Sequence, residues 1–235
     1  MSRDLDKKKK IEYLKNIQLF SSLTEEELYQ ISSHITTKRF KKNEMILYEE
    51  DTNDLMYMIF SGKVKVVKTT GEGKEVILSI HQPGNFFGEM SLIDGKTTPA
   101  SVIATEESII SFISKKNFFT ILYSQVKVLE NLLLILSTRL RNSWETIKLL
   151  SYNQGSQRVR ALFFMLIDEY GKETDEGIEL NINLSHQQIS EMTGMTRETV
   201  TRVIDKWQKI GEITILKNKS VRLNASFHKR SSDIK

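Results

Sequence analysis

The chain contains no cysteine. That removes disulfides, cysteine-ligated iron–sulfur clusters and thiol switches. No apolar run approaches the roughly 18 residues that a membrane span needs. The N-terminus, MSRDLDKKKK, has no apolar core behind its charges and does not read as a secretory signal. A cytoplasmic protein without membrane association is the expectation. Histidine is sparse, and His34, His81, His186 and His228 have no metal-ligand spacing. No nucleophile–base pairing stands out, so catalysis is not expected. The net charge of +4 is mild, so attraction for nucleic acid must come from local clustering rather than the field of the whole chain. A chain of 235 residues has room for one or two domains with real cores.

What is present is organised around one stretch, LSHQQISEMTGMTRETVTRVIDKWQKIGEITILKNKSVRLN, from Leu184 to Asn224. Ser185 and Gln188 have the spacing of a capping box, and Leu184 with Ile189 that of a hydrophobic staple. Gly194 breaks the pattern, and Thr196 can cap a second helix. Val200, Val203, Ile204 and Trp207 share one face of that helix. The opposite face carries Arg197, Glu198, Thr201 and Arg202. Arginine can grip guanine with two hydrogen bonds, and glutamate can accept from cytosine. Ile213/Ile215 and Val221/Leu223 alternate around Asn218 as a hairpin wing that includes Lys217 and Lys219. From Arg197 onward there are ten Lys/Arg against four Asp/Glu. The pattern predicts a winged helix-turn-helix, with Ser185, Gln187, Thr196 and the wing lysines on phosphates.

Upstream, the residues Ile11 to Phe20 have helical spacing, and Thr24 with Glu27 opens a capped helix to about His34. From Thr37 to Phe112 the texture changes to short β-rich runs: MILYEE, LMYMIF, KVKVVK, EVILSI, FFGEM, ASVIA and SIISFI. Turn signals separate them, which predicts an antiparallel β-barrel or sandwich able to enclose one small ligand. Within it, GNFFGEMSLIDG places glycines close together. They fit either an anion-binding turn or two tight turns around one helical turn. Lys115 to Tyr152 reads as helix again. Leu129, Leu133, Leu136, Leu140, Ser143, Ile147 and Leu150 follow a four–three spacing over about three heptads, a coiled-coil seam that predicts a homodimer. Asn153 to Ser156 is the expected hinge. A helix with the apolar face Val159, Leu162, Phe163, Leu166 and Ile167 follows, then a charged exposed loop from Gly171 to Gly177.

This order resembles the CRP/FNR family of bacterial transcription regulators over nearly the whole chain. GEMSLIDGKTTPASV is similar to the family's phosphate-binding cassette, and TRETVTRVI to its recognition helix. The resemblance implies an α+β protein with an antiparallel β-roll (double-stranded β-helix or jelly-roll) effector domain over residues 1–114. A long dimerisation helix over 115–153 and a winged helix-turn-helix over 154–235 follow. It implies a homodimer on double-stranded DNA with TGTGA-like half-sites, and RNA polymerase as a partner. Arg197, Glu198 and Arg202 match the base-reading residues, whereas Thr201 stands where the CRP branch has glycine.

The resemblance also places an effector pocket at Gly88, Glu89, Met90, Ser91, Thr98, Pro99 and Ala100, with Ser143 and Trp144 from the long helix. Here the chain departs from cyclic-nucleotide binders. Thr98 and Pro99 occupy the positions of an arginine and a hydroxyl residue, and proline has no N–H to offer. Trp144 is far bulkier than the small hydroxyl residue expected there. A cyclic phosphate would lose its charge-assisted partner, which argues against cAMP. The family's haem branch leaves haem at His81 open. Rival readings are a ligand-independent regulator set by its abundance, a small-molecule-binding module, and a cupin-like enzyme.

Overall fold

A computed structural model describes residues 10–217 and 219–229. The chain divides into two compact units, Met1–Arg139 and Leu140–Lys235. The division falls inside the helix that the sequence set apart as a segment of its own.

The first unit opens with helical residues 10–16 and a 3-10 turn, Gln18–Phe20. Helix α1 (Glu25–Ser32) follows, with Thr24 and Glu27 closing the capping box that their spacing predicts. Then come strands β1 (Thr36–Phe40), β2 (Met45–Leu47), β3 (Leu55–Ser61), β4 (Val64–Thr69), β5 (Glu75–His81) and β6 (Phe86–Phe87). Helix α2 (Glu89–Asp94) precedes β7 (Ser101–Ala104) and β8 (Ser108–Ser114). The strands pair antiparallel in two four-stranded sheets, β1-β8-β3-β6 and β2-β7-β4-β5, which is the expected β-roll. Their inward side chains, including Phe40, Tyr57, Ile59, Phe87 and Ile110, make one core. A second core gathers Leu14, Phe20, Leu28, Met56, Phe86, Phe118 and Leu132. Full burial of each such side chain contributes about 1.5–3 kcal/mol.

Two expectations are corrected in this unit. The run FFGEM is strand only at Phe86–Phe87. Gly88 and Gly95, at φ 84° and 71°, then bound a short helix, so the glycines make two tight turns around helical turns. Only glycine suits position 88: a Cβ would lie 3.0 Å from Leu55 O and from the Tyr57 ring. Residues 115–153 are also not one helix. Helix α3 (Lys115–Ser124) ends at Gln125, and α4 (Val126–Ser151) leaves at 108° to it. The bend lets Phe118, Ile121 and Leu122 on one side and Val128 and Leu132 on the other enter the same core.

The second unit contains the end of α4, then α5 (Gly155–Tyr170), β9 (Gly171–Thr174), β10 (Gly177–Leu180), α6 (His186–Thr193), α7 (Arg197–Lys209), β11 (Ile213–Ile215), β12 (Val221–Leu223) and α8 (Ala225–Lys229). Helix α5 begins at Gly155, so Gly155 and Ser156, expected in the hinge, belong to its first turn. The expected charged loop 171–177 is instead an antiparallel hairpin, with Gly177 paired to Thr174 and Leu180 to Gly171. It extends the wing to a four-stranded sheet, β11-β12-β10-β9. Its strands are short, β9 wholly exposed and β10 buried only at Leu180, so no apolar alternation marks them. Arg222 of β12 pairs with Glu176 in the β9–β10 turn. The wing pairs Ile213 with Leu223 and Ile215 with Val221, as alternation predicts. Asn218, the expected turn residue, lies outside the described residues.

Among the described residues no single helix is long and apolar enough to cross a membrane. The bent pair α3–α4 passes that test only by adding its two parts together.

Candidate nucleic-acid interface and effector cassette

The second unit presents its polar side chains from a rigid base. On α5, Val159, Leu162, Phe163 and Leu166 are buried, and on α7 Val200, Ile204 and Trp207 are too. Phe163 and Trp207 rings lie 5.9 Å apart, and Phe227 of α8 packs edge-on to Trp207 at 5.4 Å. Buried Arg160 donates to Glu212 at 2.5 Å and to Phe227 O at 2.9 Å, and stacks over the Trp207 and Phe227 rings. This clamp joins α5, the wing and α8 across 52 and 67 residues of sequence.

On that base, α6 and α7 are locally well specified. Ser185 Oγ accepts from Gln188 N, while Gln188 Oε1 accepts from Ser185 N. Gly194 takes φ 64° as the C-cap of α6. Thr196 Oγ1 accepts from Thr199 N and opens α7. With Val200, Ile204 and Trp207 turned inward, Arg197, Glu198 and Arg202 are left exposed. Arg202 donates to Thr199 Oγ1 at 3.3 Å. Glu198 is held below the usual carboxylate range by its own backbone N–H and the Thr196 hydroxyl, with Arg197 and Arg202 adding to the effect. The three charged side chains are exposed near one another, on a helix whose other face is anchored. Gln187 is exposed and donates to Glu191 at 2.7 Å. Lys217 and Lys219 are exposed in the wing turn, which closes through Leu216 N on Ser220 O at 2.9 Å. Thr201 differs from its neighbours: its hydroxyl donates to Arg197 O and contacts His186.

The cassette in the first unit is arranged the other way round. Glu89 is buried and receives Arg139 Nη1 at 2.7 Å. The same guanidinium donates to Phe86 O at 2.6 Å and lies over the Phe86 ring. Ser91 is buried, between Asn53 Nδ2 and Gly88 O. Thr98 is buried with its polar groups spent: N and Oγ1 both donate to Asp51 O, and its carbonyl accepts from Glu50 N. Pro99 is exposed and Ala100 buried. Met90 is exposed, and in the second unit so are Ser143 and Trp144. A cleft of about 370 Å³ opens beside this loop, lined by Ile46, Tyr48, Asp51, Asn53, Asp54 and Tyr57 among others. Sequence reading missed Arg139 and Asn53 because the cassette residues they bond lie 35 or more positions away.

His81, the residue at which the resemblance leaves haem open, ends strand β5. Its ring lies parallel to Phe87, and Nε2 is 3.4 Å from Ser79 Oγ. Burial, and then the positive charge of Arg139, push its pKa down to about 3.

Along α4, the seam residues Leu129, Leu133, Leu140, Ile147 and Leu150 are exposed. Leu136 is partly buried against the core of its own unit, and so is less available to the seam than its spacing predicts.

Comparison with known proteins agrees with this architecture. Residues 37–125 match the family described as cyclic nucleotide-binding domain, and residues 157–225 match the Crp-like helix-turn-helix domain. The cyclic AMP receptor protein of Thermus thermophilus is 27% identical over 202 residues, covering 86% of this chain and 90% of that protein. The CRP-like cAMP-activated global transcriptional regulator of Mycobacterium tuberculosis is 25% identical, covering 92% and 96%. The solved structure of a CooA mutant from Carboxydothermus hydrogenoformans superposes with a TM-score of 0.75 at 21% identity, covering 86% of this chain and 89% of that one. A cyclic nucleotide-binding-like β-roll, a long helix and a DNA-binding helix-turn-helix in this order place the chain in the CRP/FNR family of transcription regulators.

Proposed function

We propose that the protein is a homodimeric, sequence-specific transcription regulator that binds an inverted repeat with TGTGA-like half-sites. The observation that carries this reading is the exposed Arg197–Glu198–Arg202 constellation on an anchored, capped helix. Each arginine can pair guanine O6 and N7, and Glu198 can accept from cytosine N4. The exposed leucines and isoleucine of α4 support pairing of two copies through that helix. A two-fold dimer carries two recognition helices, so half-sites stand about 34 Å apart. The regulator works in the cytoplasm with RNA polymerase and is not an enzyme.

Its effector, on this reading, is not cAMP. Thr98 spends its donors on Asp51 O, and Pro99 has no N–H, so the end of the cassette offers a phosphate little. Regulation by abundance alone is the second reading, supported by the internal ion pair that already engages Glu89.

In vitro selection of duplexes tests the DNA reading, with an inverted repeat of G- and C-containing half-sites as the expected product. Selection of no palindrome contradicts it. Light scattering on Leu133→Asp/Leu140→Asp, both exposed in the seam, tests the dimer, with a monomer as the expected result.

A further inference from the structure

We propose that the cleft beside the cassette is a binding site for a small aliphatic diammonium cation, and that this cation, not an anion, is the effector. The binding stands apart from the DNA-binding reading above; the effector role rests on it. The cleft, of about 370 Å³, is lined by residues of the β2–β3 segment, 46–57, and not by the cassette. Ile46, Leu47 and Leu55 give it apolar walls that suit an alkyl chain. Three of its polar side chains are uncommitted. Asp51 and Asp54 are exposed, and among the described residues their carboxylates make no ion pair or hydrogen bond. Neighbouring Glu49, by contrast, pairs with Lys68 at 2.8 Å. The third is Tyr57, 8% exposed, with its ring stacked on Phe87 at 5.1 Å. Its hydroxyl has no hydrogen-bond partner among the described residues, yet it is not one of the polar atoms sealed from solvent. The open space beside it is the cleft that Tyr57 lines. A nearly buried hydroxyl with no protein partner is costly unless water or a ligand meets it.

The chemistry of the lining selects a cation. Carboxylates only accept hydrogen bonds, and no Lys or Arg lines the cleft to receive an anion. An ammonium group carries three N–H donors, enough for one carboxylate and the Tyr57 hydroxyl together, and a second ammonium serves the other aspartate. The exposed ring of Tyr48 adds an aromatic surface for the same charge. A hydrated metal ion would gain nothing from apolar walls, and among the described residues no three His, Cys, Asp or Glu side chains are grouped to hold one. The same loop is bonded to both ends of the cassette. Asn53 Nδ2 donates to Gly88 O at 3.1 Å and to Ser91 Oγ at 3.2 Å, and Asp51 O accepts from Thr98 N at 2.8 Å. Asp54 O accepts from Lys115 N at the start of α3. A cation held by Asp51 and Asp54 therefore favours one arrangement of the cassette, to the extent that it binds that arrangement more tightly.

The test is calorimetric titration of the full chain with diaminobutane at fixed ionic strength, beside butylamine, butanediol and magnesium chloride. Expected are saturable binding of one diamine per chain, about tenfold weaker binding of butylamine, and none of the diol. Asp51→Asn and Asp54→Asn, at exposed positions, should each weaken the diamine about tenfold, and Tyr57→Phe, which keeps the ring, about three- to tenfold. No saturable diamine binding, binding that survives Asp51→Asn/Asp54→Asn, or equal binding of magnesium overturns the site. Affinity for the selected duplex is then compared between wild type and Asp51→Asn/Asp54→Asn, with and without diamine. A diamine also neutralises duplex phosphates, and that share is common to both proteins. A change on adding diamine that is larger in the wild type supports the effector role, and equal changes overturn it. If the wild type prefers no duplex, the DNA reading fails, while the calorimetry still decides the site.

Discussion

The cassette at Gly88–Ala100 and the helix pair at Ser185–Lys209 carry the chain's resemblance to its family, yet they use polar residues in opposite ways. In the cassette, Glu89, Ser91 and Thr98 are buried and bonded to the protein's own atoms. On the recognition helix, Arg197, Glu198 and Arg202 are exposed, and the bonds that order them come from caps and neighbours at the helix start. A buried polar group that is satisfied internally is expensive to release, because its partner is left behind without compensation. An exposed one is ready for a ligand. The comparison teaches that matching a family's motif letters does not settle function; the direction in which each polar atom is spent does.

Perturbations should separate inward from outward polar groups, beginning with the largest effect. Arg160→Ala removes a guanidinium that holds Glu212 and Phe227 O and covers two rings. It should cost about 3–5 kcal/mol in denaturant unfolding of the DNA-binding unit. Arg139→Ala should destabilise the β-roll unit by about 2 kcal/mol, because buried Glu89 loses a charged donor. Ser185→Ala removes a cap and should cost about 1 kcal/mol. If Arg139→Ala instead leaves the melting temperature unchanged, the cassette is not internally committed and the contrast weakens.

Acid should act on the roll through His81. Its folded pKa, about 3, lies below the ordinary 6.5, so the charged ring opposes folding. The associated stability is fully present above about pH 6.5 and is lost progressively as the pH falls toward 3. Wild type should therefore lose more stability than His81→Phe between neutral pH and pH 4, read by thermal melts. The smallest expected effect is none at all: cAMP should give no binding heat and no change in DNA affinity. Micromolar binding in calorimetry would contradict the reading of Thr98 and Pro99.

How much of this was legible in the sequence follows from distance along the chain. The caps at Thr24, Ser185 and Thr196 and the left-handed turn at Gly194 depend on neighbours within four residues, and spacing alone predicts them. The inward face of α7 is equally local. Arg139 with Glu89 and Arg160 with Glu212 join residues 50 and 52 apart, and no periodicity announces such pairs. The β9–β10 hairpin escaped because its strands have too few buried positions to alternate. The bend at Gln125 escaped because apolar residues continue through it at helical spacing; the need of both helices to reach one core decides it. His186 read as an isolated histidine because its partner, Thr201, is 15 residues on.

The central claim is that the outward constellation reads bases. The most direct measurement is equilibrium binding, at fixed salt, to the selected duplex and to the same duplex with one recognised guanine replaced by adenine. Wild type should lose about 1–3 kcal/mol on the altered duplex. Arg202→Ala should bind the two duplexes alike, whereas Lys217→Ala should weaken both equally and keep the difference. Full discrimination at that guanine by Arg202→Ala would contradict the account.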